Sequence, residues 1–340
     1  DERASILNSL HTGICIDLGP LAVEFELSDL TLIGLSRDAS STTRAVRIQQ
    51  GATGHINDLT IKGFKIAFLN NGASDTTQID NVDYLPITGG SPVTCGSFLV
   101  SERLDGSSTA VSVAVNNCTI DGCKDDAVVV KHSRPRTSIE NCAFKNCAAA
   151  TKGILIGDAA AWCDDVFVSN CTFSGANAMT NEIHVQPSAA QTFTQIVIDG
   201  CAFAVSPIAD HVLIAPAGID GRVAVVDSSF AACSGTALSA LNVLRYRVQG
   251  CRFTGSGINA IAGTTVAGAT ITNNTVVCST GACIEFAALT DSSITANRCT
   301  NTGTGAAISF TGGSNRNTVS NNTVTSTTGT GINSTSVENV

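Results

Sequence analysis

One six-residue pattern recurs along almost the whole chain. It begins with Ile, Val or Leu, has Asn, Asp or Gly at its third position in nearly every copy, and mostly ends on Phe or another apolar residue. The copies are LSDLTL (27–32), INDLTI (56–61), IDNVDY (79–84), VNNCTI (115–120), IENCAF (139–144), VSNCTF (168–173), IDGCAF (198–203), VVDSSF (225–230), VQGCRF (248–253), ITNNTV (271–276), ITANRC (294–299) and VSNNTV (319–324). Asn, Asp and Gly are the residues that tolerate a left-handed backbone. Each copy therefore reads as a strand, a one-residue bend and a second strand.

A second apolar column follows each of the later bends after eleven to thirteen residues: Val128, Ile154, Ile183, Val212, Leu238, Ile261, Ile284, Ile308 and Ile332. Three short strands per turn, repeating every 23–36 residues, describe an all-β solenoid, a parallel β-helix of about 12 coils. Leucine-rich repeats would show a Leu-x-x-Leu-x-Leu frame, and propeller blades repeat at about 40–45 residues. The opening DERASILNSL suits a short N-terminal helix, so residues 1–13 are expected to cap a β-helix domain over 14–340. No comparable cap is expected at the other end, where further chain or a partner subunit would cover the last coil.

Composition agrees with many short strands. The chain is 43% hydrophobic but only 5% aromatic, with 31 glycines and one methionine. A formal net charge of −9 argues against nucleic acid or an anionic membrane as partner. No apolar run is long enough to insert in a bilayer. A removed leader before Asp1 and a fragment are both compatible with the first residue.

Cysteine falls into the repeat. Cys118, Cys142, Cys171, Cys201 and Cys251 occupy one inward column just after the bend, where neighbours sit one sheet spacing of about 4.8 Å apart. That is wider than a relaxed disulfide, so thiols packed as small hydrophobes are expected. No CxxC pair exists, the spacing of five in Cys118/Cys123 fits no common zinc pattern, and no metal or cofactor is called for. Asn274, Asn297 and Asn322 continue the column, where stacked amides can form an asparagine ladder.

Titratable residues gather around DGCKDDAVVVKH (121–132) and its counterparts KGILIG (152–157), NEIHVQ (181–186) and DHVLIA (210–215). Aligned on the apolar column, Asp126 stacks with Lys152, Asn181 and Asp210. Glu182 and His211 run beside it at an outward or edge position, then His184, with Lys131 further on. Residues one or two coils apart are about 5 or 10 Å apart, near the carboxylate separations of retaining and inverting glycosidases. The expected carboxylate pair is Asp126 with Glu182, supported by Asp125, Asp210, His184 and His211. Lys131, Lys152, Asn181 and Trp162 are expected to touch substrate. The alternative at each position is ordinary: a strand-entrance turn for the aspartates and a solvated ion pair for Asp126 with Lys152.

The Ile-x-Asn-Cys-x-Phe repeat with its Gly-rich return resembles the right-handed β-helices of the pectate-lyase-like superfamily, bacteriophage tailspikes included, over roughly 14–340. CKDDAVVVKHS is similar to the paired-aspartate strand of polygalacturonases. The chain has no Asn-Thr-Asp element around 97–103, and Thr151-Lys152-Gly153 stands where Gly-His-Gly would. The resemblance implies a homotrimer on a virion surface or secreted outside the cell, binding a polysaccharide or cell-surface glycan and cleaving it by hydrolase or lyase chemistry. The rival expectation is a non-catalytic adhesin, capsid decoration or filament subunit, favoured by low charge and few aromatics. A Thr/Ser surface for ice or minerals is a weaker third, prompted by TVTSTTGTGINSTS (323–336).

Overall fold

The computed structural model describes residues 5–9, 14–18, 23–34, 43–49, 52–71, 76–86, 96–101, 112–131, 133–147, 152–157, 163–175, 179–186, 194–204, 210–215 and 221–334. Two compact units are present, Asp1–Ala178 and Met179–Val340. Every regular element among the described residues is a β-strand.

The bends carry the architecture. All twelve third-position residues of the repeat have positive φ, from 46° at Asp227 to 67° at Gly250. Each bend turns the chain by one residue, so the strands on its two sides join one parallel sheet. In the first unit the leading strands pair in one register, Leu27 to Ile56, Ile79, Val115, Ile139 and Val168 in succession. In the second unit Ile198, Val225, Val248, Ile271, Ile294 and Val319 do the same.

A second parallel sheet closes each coil. Its inward column runs Val46, Phe68, Leu99, Val128 and Ile154 in the first unit. In the second unit it runs Ile183, Val212, Leu238, Ile261, Ile284, Ile308 and Ile332. The interior is filled by like residues stacking on like. Phe144 lies 4.7 Å from Phe173, and Phe230 lies 4.6 Å from both Phe203 and Phe253, with ring planes within 8° of parallel. Burying aromatic rings this way supplies much of the core's transfer free energy.

The position after each bend has a hydrogen-bonding task. The thiols of Cys118, Cys142, Cys171, Cys201 and Cys251 each donate to the carbonyl two residues earlier, at 3.1–3.4 Å. Ser228 repeats this with its hydroxyl at 2.9 Å and Asn297 with its amide at 3.1 Å. A bend interrupts the sheet's backbone pairing, and a short inward donor replaces the missing bond. Disulfides would abolish that donor.

The expected N-terminal helix is replaced by a strand. Ser5–Ser9 pairs in parallel with Leu30–Gly34. Ser, Asn and β-branched Ile are weak helix formers, and the adjoining sheet edge offers a full row of backbone partners. The rest of the proposed cap, 1–4 and 10–13, lies outside the described residues.

Candidate functional site

In the first unit the two aspartates stand where the chain enters the second sheet at Val128–Val130. Register places Lys65, Gly96 and Asp125 in successive coils at one position, since Ile66 faces Ser97 and Leu99 faces Val128. The Lys65 ammonium passes over Gly96 to form an ion pair with Asp125, whose side chain is 41% exposed. Gly96 makes room for that crossing: a Cβ there would lie 2.9 Å from Lys65 Cδ and 1.9 Å from its carbonyl oxygen. Asp126 is tied differently. Its Oδ1 accepts the Lys152 backbone N–H at 2.7 Å, and its Oδ2 lies 3.9 Å from Lys152 Nζ.

Asp126 and Lys152 thus stack as the alignment expects. The next position along the strands holds Val129 and Leu155, which pair in register; Val129 is buried at 7% exposure, and Leu155 is the half-buried, outermost part of that aliphatic strip beside the charges. Lys131 follows beyond Val130, half-buried, its backbone N–H bonded to the Ser101 carbonyl at 2.9 Å. Trp162, His132 and most of the loops 84–98, 157–166 and 186–195 lie outside the described residues.

In the second unit the expected outward placement of Glu182 and His211 is not found. Glu182 is 1% exposed and His211 0%. The cause is a bifurcated hydrogen bond: the His211 carbonyl accepts both Glu182 N–H and Ile183 N–H, each at 3.0 Å. The strand's in–out alternation is broken there, so Glu182 and Ile183 both face inward. The Ala127 carbonyl does the same to Phe98 and Leu99 in the first unit, at 2.8 and 3.1 Å.

Inside, His211 Nδ1 meets Glu182 Oε2 at 3.1 Å and Nε2 meets the Ala231 carbonyl at 2.9 Å, with the ring tilted against Phe203 and Phe230. Burial pulls the imidazole toward neutrality. Hydrogen bonds to Cys233 and Glu182 outweigh it and push the pKa up to about 10. Both nitrogens therefore carry protons, and His211 is a buried cation facing a carboxylate. Above it Asp210 is half-buried. Burial raises its pKa, against the Thr236 N–H that its Oδ1 accepts at 2.7 Å and the nearby His211. Asn181 is 3% exposed and donates to the Asp210 carbonyl at 3.0 Å. His184 pairs in register with Leu213, half-buried.

Sequence reasoning missed Lys65, Gly96 and Cys233. Extending the apolar column back through Leu99 and Phe68 would have aligned Lys65 and Gly96 with Asp125. Cys233 was legible too: it stands six residues after the bend at Asp227, as Cys123 and Cys147 stand after Asn117 and Asn141.

Comparison with known proteins agrees on architecture. A model described as right handed beta helix region matches residues 103–215. The fold is the right-handed β-helix. A second model, described as periplasmic copper-binding protein (NosD), matches residues 181–340. No curated protein matches the chain. Among solved structures the chain is similar to the Dettilon tailspike protein at 12% identity and TM-score 0.43, covering 97% of this chain and 62% of that one. A mannuronic acid specific polysaccharide family 6 lyase from human gut microbiota follows at 9% and 0.46, covering 97% and 76%. The A-module of an Azotobacter vinelandii mannuronan C-5 epimerase matches at 12% and 0.42, covering 96% and 91%. The chain spans about 62% of the tailspike's length.

The donors among the described residues of the second unit do not fit a resident copper ion. Among the described residues no three His, Cys, Asp or Glu side chains converge on a metal position. His211 has both nitrogens committed to oxygen acceptors. Burial pushes the Cys251 thiol up to about 12, and the Cys299 thiol, ahead of burial, raises Cys283 as well. A copper ligand needs the deprotonated form of either group.

Proposed function

We propose that the chain binds a polysaccharide or cell-surface glycan on the outer face of the second sheet of its first unit, and cleaves it by hydrolase or lyase chemistry. The observation that carries this is the partly exposed set Lys65, Asp125, Asp126 and Lys152 beside the aliphatic strip in which Leu155 is half-buried over the buried Val129. Sugars present apolar ring faces and polar hydroxyls together, and a rigid sheet offering both can hold them without reordering. Asp125, the more exposed carboxylate, is placed to exchange a proton, with Asp126 fixed by backbone beneath it. Lys131 and Lys152 flank the strip. In the second unit Glu182, His211 and Asn181 hold the coil that carries Asp210 and His184, both half-buried. On this reading the protein acts outside the cell or on a virion, as a homotrimer, which light scattering on the purified chain would test.

A non-catalytic structural β-helix is the second reading. What favours it is that both aspartates already have partners, so the set also works as coil-to-coil pinning. A depolymerisation screen over acidic and neutral polysaccharides separates the two. New reducing ends or unsaturated product from the wild type, lost in Asp125→Asn/Asp126→Asn, support cleavage at this site. Activity kept by that variant removes the assignment, and binding without product in either leaves a glycan-binding β-helix that does not cleave.

A further inference from the structure

From the second unit's bend-bearing sheet we infer an anion-binding groove that takes the oxyanion groups of an acidic polysaccharide. This lies beyond the site proposed above and stands on different residues. Residues 179–340 contain six arginines and no lysine, and three of the six, Arg222, Arg245 and Arg247, line one groove of about 420 Å³. The chain as a whole is acidic, at −9, so this concentration of cations is local.

The register explains how they meet. Gln195 faces Arg222, and Val223 faces Tyr246, which puts Arg222 and Arg245 one coil apart at one position. Arg247 follows two residues along the strand, on the same outer face, opposite Ala224. All three guanidinium groups are exposed. Arg247 is oriented by hydrogen bonds from Nε and Nη2 to Gln249 Oε1, at 2.9 Å for Nε. Among the described residues, neither Arg222 nor Arg245 has an acidic partner.

Arg245 also sits on an unusual backbone. It belongs to a corner column with Gly268, Asp291 and Arg316, all at positive φ between 52° and 63°. Gly and Asp are ordinary there, and Arg316 is held by a two-pronged ion pair to Asp291 at 2.6 and 2.7 Å. Arg245, at φ 58°, has Gly268 as its neighbour in the next coil and gains no such pair. A long side chain kept in a left-handed conformation without an internal partner points to a use outside the fold.

Guanidinium forks match planar or tetrahedral oxyanions with paired N–H donors. Two of them repeat here at one coil spacing, about 4.8 Å, comparable to the advance of a polymer by one sugar unit. A single-stranded nucleic acid fits less well, because it needs exposed rings to stack on and the groove's aromatic residue, Tyr246, is buried. Val197 and Ala224 form a small apolar floor instead.

The test is calorimetric binding of size-matched oligomers: oligouronate, sulfated oligosaccharide, neutral oligosaccharide and a single-stranded oligonucleotide. The wild type is expected to bind an acidic saccharide at least tenfold more tightly than the neutral one, with affinity falling as salt rises. Which acidic arm binds distinguishes carboxylate from sulfate as the source. Arg222→Ala and Arg245→Gly are expected to weaken binding tenfold or more each. Arg245→Gly also relieves the left-handed backbone, so a melting temperature no lower than wild type shows that the fold is intact. Arg298→Ala, an exposed arginine of the same unit that does not line the groove, is expected to leave this binding unchanged, which separates the groove from a general effect of positive charge. Equal binding of the neutral oligomer, tighter binding of the oligonucleotide, no binding by any arm, or full affinity in both arginine variants overturns the groove.

Discussion

Glu182 Oε2 and His211 Nδ1 face each other at 3.1 Å in the interior of the second unit, a carboxylate and an imidazolium with almost no solvent access. Two charges taken out of water cost several kcal/mol each, recovered only while each has the other. The pair is held in place by a strand that turns Glu182 inward with Ile183 at the His211 carbonyl, and by the His211 ring tilted against Phe203 and Phe230.

Glu182→Gln leaves His211 as a cation without a counter-charge. The expected loss is about 3–5 kcal/mol, as for breaking any buried pair, read from the urea midpoint and slope. The double variant Glu182→Gln/His211→Gln is expected to recover part of it, because the charge is gone. A single variant within about 0.5 kcal/mol of wild type would mean that the pair is neutral.

The same pair makes stability pH-dependent in a defined direction. His211 titrates near 6.5 in an unfolded chain and at about 10 in the folded one. Between those values the folded protein keeps a proton that the unfolded chain releases, so stability is full below 6.5 and falls as pH rises toward 10. The buried thiols act the same way, but only from about 9.0 upward, where unfolded cysteine begins to ionise. The fall between pH 6.5 and 9 therefore belongs to His211. It is on the order of 3 kcal/mol, and His211→Gln is expected to flatten it while leaving the steeper loss above pH 9. Melting curves of both proteins from pH 6 to 10 check this.

The repeat made the bends, the three short strands of each coil and the inward columns legible, because a bend needs a residue that accepts positive φ and a strand declares its buried face by alternation; that the strands on the two sides of a bend join one sheet was not legible. Asp125, Asp126 and Lys152 could be placed for the same reason. What periodicity could not show was where alternation lapses. One carbonyl, that of His211, accepting two N–H groups turned Glu182 from the edge into the core beside the buried His211, and a bond of that kind leaves no trace in a pattern of apolar residues. The Lys65–Asp125 pair was hidden by a different fact, that a lysine can reach across a whole coil when a glycine lies beneath it. Ser5–Ser9 went astray because local composition was read without the sheet edge that recruits it.

Ala296 is the one bend of the twelve that has neither Gly nor an Asx side chain, at φ 56°. Holding alanine in the left-handed region costs about 1–2 kcal/mol relative to a residue that accepts it. Its side chain is exposed, so nothing packs against a replacement. Ala296→Asn is expected to raise stability by roughly 0.5–1 kcal/mol. The control is Asn273→Ala, which places the same defect one coil earlier and should lower stability by a similar amount. A change of the same sign in both variants would remove backbone strain as the cause.

Asn297 shows what the position after the bend requires. Its Oδ1 accepts from the Asn274 backbone N–H at 3.1 Å and the Asn274 amide at 2.9 Å. Its Nδ2 donates to the carbonyls of Ile271 and Thr295 at 2.9 and 3.1 Å, and to Asn322 Oδ1 at 3.0 Å. Asn297→Ala strips partners from several buried groups at once. At about 1–3 kcal/mol for each group left unsatisfied, the coil around 271–297 should lose most of its protection from hydrogen exchange. Ser228 occupies the same position three coils earlier and manages with a hydroxyl, donating to Val226 at 2.9 Å and accepting from Cys201 N–H at 3.1 Å. Asn297→Ser is therefore expected to be milder than Asn297→Ala by about 1–2 kcal/mol, despite the nearly equal size of the two replacements. Equal losses in the two variants would mean that the column selects for volume, and that the shared donor in Cys, Ser and Asn is incidental.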